Sequence, residues 1–365
     1  MRSAYGRGGF AVGALYGAMS VAESAAVIVI GVIVGIMAVH GGLTYSTNYS
    51  RQLQLMLEQI KDSGILLPAM AAFLVFTAIG TALGIVIMRK IVRKGSPIDK
   101  KNLSIGKFLL VALMCFGVWG VGALLGNLAE LCGAEQTNIF SIESLGTAII
   151  PYLIYAMVGA PILEELAFRK TLLDRLHDHG EGYAAVISAL LFGLMHGNHM
   201  QFFLAFFLGL IFAMVYMRTG RVIYTMLLHA MINTTATLPE LFALGGIDID
   251  TPWYIAVGAL MAAGLVVLII MRKDPLLNTE RCEIPDCNNA AYKNPGMLFA
   301  RIAGLALIGL QGIALIFMPM ITDKNPAHLI GLIPLTLAFL TVLLLPGFTK
   351  RYEAKPKGPI EYAEE

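Results

Sequence analysis

The chain has 365 residues, of which 57% are apolar and only 14% charged, and its mean hydropathy is +0.74. A water-soluble domain carries about 25% charged residues, and it could not hide this much apolar surface, so a soluble fold is excluded. The formal net charge is only +2 and the basic residues are spread along the chain, which gives nucleic acid binding no support. Four cysteines, Cys115, Cys132, Cys282 and Cys287, fall short of a disulfide framework, and the first two lie in apolar stretches where they act as small hydrophobes. Arg2 and Arg7 are followed by a Gly-rich stretch with no short apolar core and small-residue cleavage site, so no cleaved signal peptide is expected.

Apolar runs bounded by charge or turn residues recur at 21–40, 65–88, 108–132, 145–172, 183–197, 202–217, 222–237, 253–271, 297–319 and 328–346. Runs of about 18 residues or more match the ~30 Å hydrocarbon layer of a bilayer. The expected fold is therefore all-α, a polytopic transmembrane bundle of about ten spans. With a cytoplasmic amino terminus, all but three of the 26 basic residues, Arg51, Lys61 and Lys324, fall on the cytoplasmic side. That bias orients the bundle and favours an even number of spans, with both termini cytoplasmic. Residues 183–217 must then supply two short spans, which a locally thinned bilayer or a shallow hairpin would accommodate.

No sequence repeat or soluble domain interrupts this pattern. Gly31 with Gly35, Gly80 with Gly84 and Gly122 with Gly126 have the small-xxx-small spacing that lets membrane helices approach closely, and they read as packing. The polar residues inside the apolar runs divide the chain into helices at 1–144, a chemically distinctive core at 145–240, and helices with a polar tail at 241–365.

Ionisable groups are costly in hydrocarbon, so those found there are paired or functional. Three groups stand out: Glu164 and Glu165 with Arg169, Phe192 with His196, and His229 with Asn233. Glu165 and Arg169 stand at i and i+4, where an ion pair can form. Glu164 points about 100° away from Glu165 on an ideal helix, so Glu165 is expected to pair and Glu164 to work. His229 and Asn233, also at i and i+4, would present an imidazole and an amide to one spot, and Phe192 would wall the pocket. From a cytoplasmic edge near Arg175, Tyr183 and Val222, the rise per residue puts Glu164 about 16 Å deep, His196 about 20 Å and His229 about 10 Å.

Each group also has a bland reading. A Glu-Glu pair alone most often marks a solvated helix end, and a lone membrane histidine is as readily a satisfied core residue. The combination on three adjacent helices is what points to chemistry. His177, Asp178 and His179 read as a helix end in water, His199 as a turn residue, and His40 and His328 as interfacial.

These residues, in the order EExxxR, FxxxH and HxxxN, resemble the CPBP family of intramembrane endopeptidases, which includes the eukaryotic CAAX prenyl endopeptidases and bacterial bacteriocin-processing and abortive-infection proteins. The resemblance covers roughly 145–240, and Ala160-Pro161-Ile162-Leu163 and Arg218-Thr219-Gly220 fit it too. One departure is Lys170, where many members carry Gly after the Arg. The resemblance implies a glutamate-dependent peptidase in a bacterial cell membrane, with its site in the cytoplasmic half. Glu164, helped by His196, would activate a water, His229 and Asn233 would stabilise the oxyanion, and Arg169 would hold Glu165. The substrate would be a peptide or protein segment, either lipidated or a leader peptide, met at the lipid bilayer.

Other readings stay open at this point. Glu164, His196 and His229 would suffice as zinc ligands with an open position for water, although no HExxH motif demands a metal, and catalysis without cofactor is the favoured form. A non-catalytic immunity or scaffold protein, or a transporter, would use the same polar cluster for binding. A transporter should show an internal repeat or a second polar cluster on other helices.

Overall fold

Seven of the ten apolar runs fall where the structure, a computed structural model, describes the chain: residues 64, 66–91, 94–95, 97–131, 145–177, 181–196 and 199–277. Each of the seven is helical, and the described residues contain no strand. We label them α1 (Leu66–Ile91), α2 (Ile105–Leu131), α3 (Gly146–Leu176), α4 (Glu181–Met195), α5 (His199–Thr219), α6 (Val222–Ala243) and α7 (Asp250–Met271). The runs at 21–40, 297–319 and 328–346 lie outside the described residues.

Five of these helices, all but α4 and α6, are long and apolar enough to cross a membrane, and their outward faces carry large apolar side chains. On α7, Ile255 is 70% and Ile270 74% exposed, a surface suited to lipid and not to water. The chain is an integral membrane protein. α4 is shorter, with its apolar stretch at Ala184–Gly193, so the short helix expected within 183–217 is found, paired with a full-length α5. α6 matches α7 in length at 22 residues but spends several positions on His229, Asn233 and threonines.

Small residues set the closest packing. Val111, Met114, Cys115 and Trp119 of α2 form one core with Leu208, Phe212 and Val215 of α5 and Leu228 and Ile232 of α6. α7 packs on α2 as well, where Gly117 and Gly264 bring two backbones together. A Cβ on Gly264 would run into the Leu113 carbonyl and the Gly117 backbone. Gly122 and Gly126 face Leu204 and Met200 of α5, so that pair serves packing as its spacing suggests.

α3 is not a regular α-helix. Its short α-helical stretch Ala160–Glu165 lies between two wider π-helical stretches, Tyr155–Gly159 and Leu166–Leu173. Pro161 accounts for the first, since its ring has no N–H to offer the carbonyl one turn back and crowds it. At the second, Ser188 of α4 donates to the Phe168 carbonyl at 3.1 Å. π-Helical turns inside α-helices concentrate at functional sites.

The polar connection after α1 runs across the ends of three helices. Gly95 N donates to Asp174 O at 2.7 Å, Lys101 N to Thr219 O at 2.9 Å, and Leu103 N to the Tyr224 hydroxyl at 3.1 Å. Gly220 adopts a φ of 58°, and a side chain there would meet the Asp99 carbonyl oxygen at 2.6 Å. Only glycine suits both the left-handed backbone and the crossing strap.

In α6, Pro239 denies the Thr235 carbonyl its helical N–H. Trp253 of α7 supplies the missing donor, its Nε1 lying 2.9 Å from Thr235 O.

The Gly117–Gly264 contact yields a test. Gly264→Ala should lower the unfolding free energy in detergent by about 1–3 kcal/mol, the usual cost of forcing atoms into a packed contact. Gly258→Ala on the same helix, where an added Cβ meets nothing within 4 Å, should be neutral or slightly stabilising. Equal stability of the two variants would refute the close approach.

Candidate active site

The centre of the site is an ion pair with no exposure at all. Arg169 Nη1 stands 3.1 Å from Glu165 Oε1, and both side chains are 0% exposed. The expected i, i+4 pair therefore forms, but it lies deeper than a helix end. Arg169 Nη2 donates to the Gly209 carbonyl of α5 at 3.3 Å. The guanidinium also sits 4.5 Å from the centre of the Phe192 ring and 5.3 Å from that of Phe212. Rings on two further helices thus take over part of the hydration that the cation has lost.

His229 enters from α6. Its Nδ1 is 3.1 Å from Glu165 Oε1, and its Nε2 is 3.8 Å from Glu164 Oε2. One imidazole stands between the two carboxylates. Thr225, one turn before His229 on the same face, donates its hydroxyl to the Val222 carbonyl at 2.9 Å, and Phe212 lies 5.6 Å from the His229 ring. Glu164 keeps 14% of its side chain exposed, while Glu165 has none.

His196 ends α4, and its Nδ1 is 2.9 Å from the carbonyl of Phe192. A carbonyl can only accept, so Nδ1 carries the hydrogen, and in the neutral ring Nε2 bears the lone pair. Phe192 stands edge-on to both histidines, with centroids 5.2 Å from His196 and 5.6 Å from His229. It is the wall expected from the motif, and it also covers Arg169.

Two relations go beyond the helical wheel. Glu164 and Glu165 approach the two nitrogens of one imidazole, at 3.8 Å and 3.1 Å, so a single ring lies within reach of both. Asn233, one turn after His229, donates its Nδ2 to the Ala156 carbonyl at 2.9 Å, inside the first π-helical stretch of α3, which uses one of its two amide hydrogens. Thr225, Phe212 and Gly209 were not singled out from sequence. Thr225 had a signal, its position four residues before His229, whereas the two α5 residues had none. His177 Nδ1 contacts the Leu173 carbonyl at 2.9 Å, away from this cluster, while Asp178, His179, His40 and His328 lie outside the described residues.

The assembly is a buried carboxylate–imidazole–carboxylate array, with a second histidine and an amide on helices adjoining α3. Residues 146–235, which contain all of it, match the family model of the Rce1-like type II CAAX prenyl endopeptidases. This agrees with the resemblance carried by the three motifs. Two curated relatives extend it beyond the matched segment. "Putative membrane peptidase YdiL" of Bacillus subtilis is 26% identical over 181 residues, covering 48% of this chain and 74% of YdiL. "Membrane-embedded CAAX protease MroQ" of Staphylococcus aureus is 27% identical over 116 residues, 29% of this chain, and the match spans 47% of MroQ, a little under half its length. No solved structure matches.

With Arg169 fully buried beside it, Glu165 is expected to hold the fold. Glu165→Gln should lower stability by about 3–5 kcal/mol, because removing one side of a buried pair leaves the other charge uncompensated. Thermal unfolding in detergent would measure it. A variant as stable as the parent would contradict the role given to the pair.

Proposed function

We propose that the chain is an intramembrane endopeptidase that hydrolyses a peptide bond with a water activated at Glu164. The observation that carries this reading is the bracketing of His229 by the two glutamates, one sealed with Arg169 and the other still reachable. A carboxylate in a dry cleft is a stronger base than one in water and suits general-base work. Glu164 takes a proton from the water while the hydroxide adds to the peptide carbonyl. His196, whose Nδ1 is engaged by Phe192, helps to hold that water through Nε2. The proton then passes to the leaving amine as the C–N bond breaks, which balances the hydrolysis.

His229 and Asn233 are the donors for the oxyanion in this scheme. A hydrogen on His229 Nε2, which faces Glu164 at 3.8 Å, is offered to the developing negative charge. The second amide hydrogen of Asn233 is the other candidate donor. Fixed donors of this kind act most strongly where water is excluded.

The alternative is zinc held by Glu164, His196 and His229. Among the described residues no three His, Cys, Asp or Glu side chains stand close enough together to hold a metal ion. On that arrangement we propose a reaction carried by the side chains alone.

For the setting, we propose a ten-span bundle with both termini cytoplasmic and the site in the cytoplasmic half of a bacterial membrane. The charge bias along the sequence and the bacterial origin of both relatives support this. The substrate is a peptide segment brought to the bilayer, whether by a lipid group or as a leader.

Peptide turnover by purified protein tests the chemistry. Glu164→Gln should leave a folded protein whose rate falls by at least ~10²–10⁴, and chelators should leave the parent's activity intact. Activity lost on chelation and restored by zinc alone would overturn the metal-free assignment, and a fully active Glu164→Gln would remove the proposed base. The topology has a separate test: a reporter fused after Lys101 should be cytoplasmic and one after Ile247 exported. Both on one side would exclude the orientation.

A further inference from the structure

The hydroxyl of Ser188 crosses between helices. A serine or threonine in a membrane helix commonly bonds back to a carbonyl of its own helix. Thr77, Thr81, Thr219, Thr235 and Thr237 do so, each to the carbonyl four residues earlier. Ser188 of α4, fully buried, instead donates to the Phe168 carbonyl of α3 at 3.1 Å. That carbonyl belongs to the peptide unit that leads into Arg169, inside the second π-helical stretch.

Ser188, Phe192 and His196 stand at i, i+4 and i+8, along one face of α4. In that order the face presents the hydroxyl to Phe168, then the Phe192 ring, then the imidazole. The Phe192 ring lies 5.4 Å from that of Phe168 and 4.5 Å from the Arg169 guanidinium, and His196 Nδ1 meets the Phe192 carbonyl. Around this face α4 touches α3 through apolar side chains, with Leu191 against Phe168 and Leu172, and Ala184 and Ala185 against Leu173. Packed apolar helices slide past one another in small steps, whereas a hydrogen bond holds its length to within a few tenths of an ångström. The Glu181–Arg218 pair ties the start of α4 to α5. Towards α3, the Ser188 bond supplies a directional contact.

We propose that Ser188 is a positioning residue for the hydrolysis: its bond to the Phe168 carbonyl holds α4 in register with α3, so that Phe192 seats on Arg169 and His196 reaches the reacting water. The inference rests on the role given to His196 above and deepens it. His196 lies two turns, about 12 Å, beyond Ser188. A slip of α4 at Ser188 is carried to the imidazole, and a displacement of about 1 Å at a reacting group can cost 10² in rate.

The test measures peptide turnover by the full chain in detergent, per folded protein. Ser188→Ala should lower kcat at least about tenfold with KM unchanged, the scale of a sub-ångström misplacement. Ser188→Cys, a weaker donor of similar size, should fall between it and the parent, and it carries the same comparisons should Ser188→Ala not fold. Thr81→Val removes a buried hydroxyl that bonds within α1 and should keep the parent's kcat. In a His196→Gln background, Ser188→Ala should change the remaining rate by less than about twofold, because residues that act through one another are not additive. A fully active Ser188→Ala, losses that multiply in the double variant, or an equal loss in Thr81→Val would each overturn the role. An active Glu164→Gln would strike the reading of the site, and this inference with it. An inactive Glu164→Gln beside a fully active Ser188→Ala would strike this inference alone.

Discussion

A positive charge with no access to water, Arg169, imposes the arrangement of everything around it. Removing a guanidinium from water costs several kcal/mol even after relaxation, so it has to be compensated by its neighbours. Glu165 supplies the counter-charge, the Gly209 carbonyl one acceptor, and Phe192 and Phe212 two ring faces. These partners come from α3, α4 and α5, and His229 joins through Glu165 from α6. Four helices are thereby fixed in register by one side chain. The residues assigned to chemistry are the neighbours of that arrangement, and their positions follow from it.

The backbone of α3 makes the array reachable. With π-helical stretches on both sides, the Ala160–Glu165 turn is set off from the helix that carries it. The first stretch offers the Ala156 carbonyl to Asn233, and the second contains Arg169. A regular helix spreads consecutive residues about 100° apart. Here the reach of two glutamate side chains and the two nitrogens of one imidazole bring both carboxylates to the same partner. Irregular helix, ion pair and histidine are thus parts of one local solution.

Much of this was legible in the sequence, for reasons that can be stated residue by residue. The apolar runs predict α1 to α7 because bilayer-length hydrophobicity has few other causes. The Glu165–Arg169 pair follows from i, i+4 spacing, and the wall role of Phe192 from its place one turn before His196. The shared imidazole was not legible, since it depends on how α6 packs against α3. Nor was the bond from Asn233 to Ala156, because a helical wheel cannot show a carbonyl made available by a π-helical turn. Phe212 and Gly209 sit in an α5 sequence that is apolar throughout, so nothing marks them before the bundle is assembled. The Gly117–Gly264 approach joins glycines of two helices far apart in sequence, and spacing within one helix gives no hint of it.

The place of the two tryptophans has an optical consequence. The chain contains only Trp119 and Trp253, and their rings lie 6.3 Å apart, edge to face, across α2 and α7. Phe116 stacks near the first and Tyr254 near the second. Intrinsic fluorescence is therefore a local signal from one seam of the bundle, and excitation passes readily between the two indoles. Because the Trp253 indole also holds the Thr235 carbonyl, its emission is sensitive to the stretch of α6 around Thr235, two residues beyond Asn233. A natural spectroscopic reporter stands one helix away from the carboxylates, built into the protein without labelling.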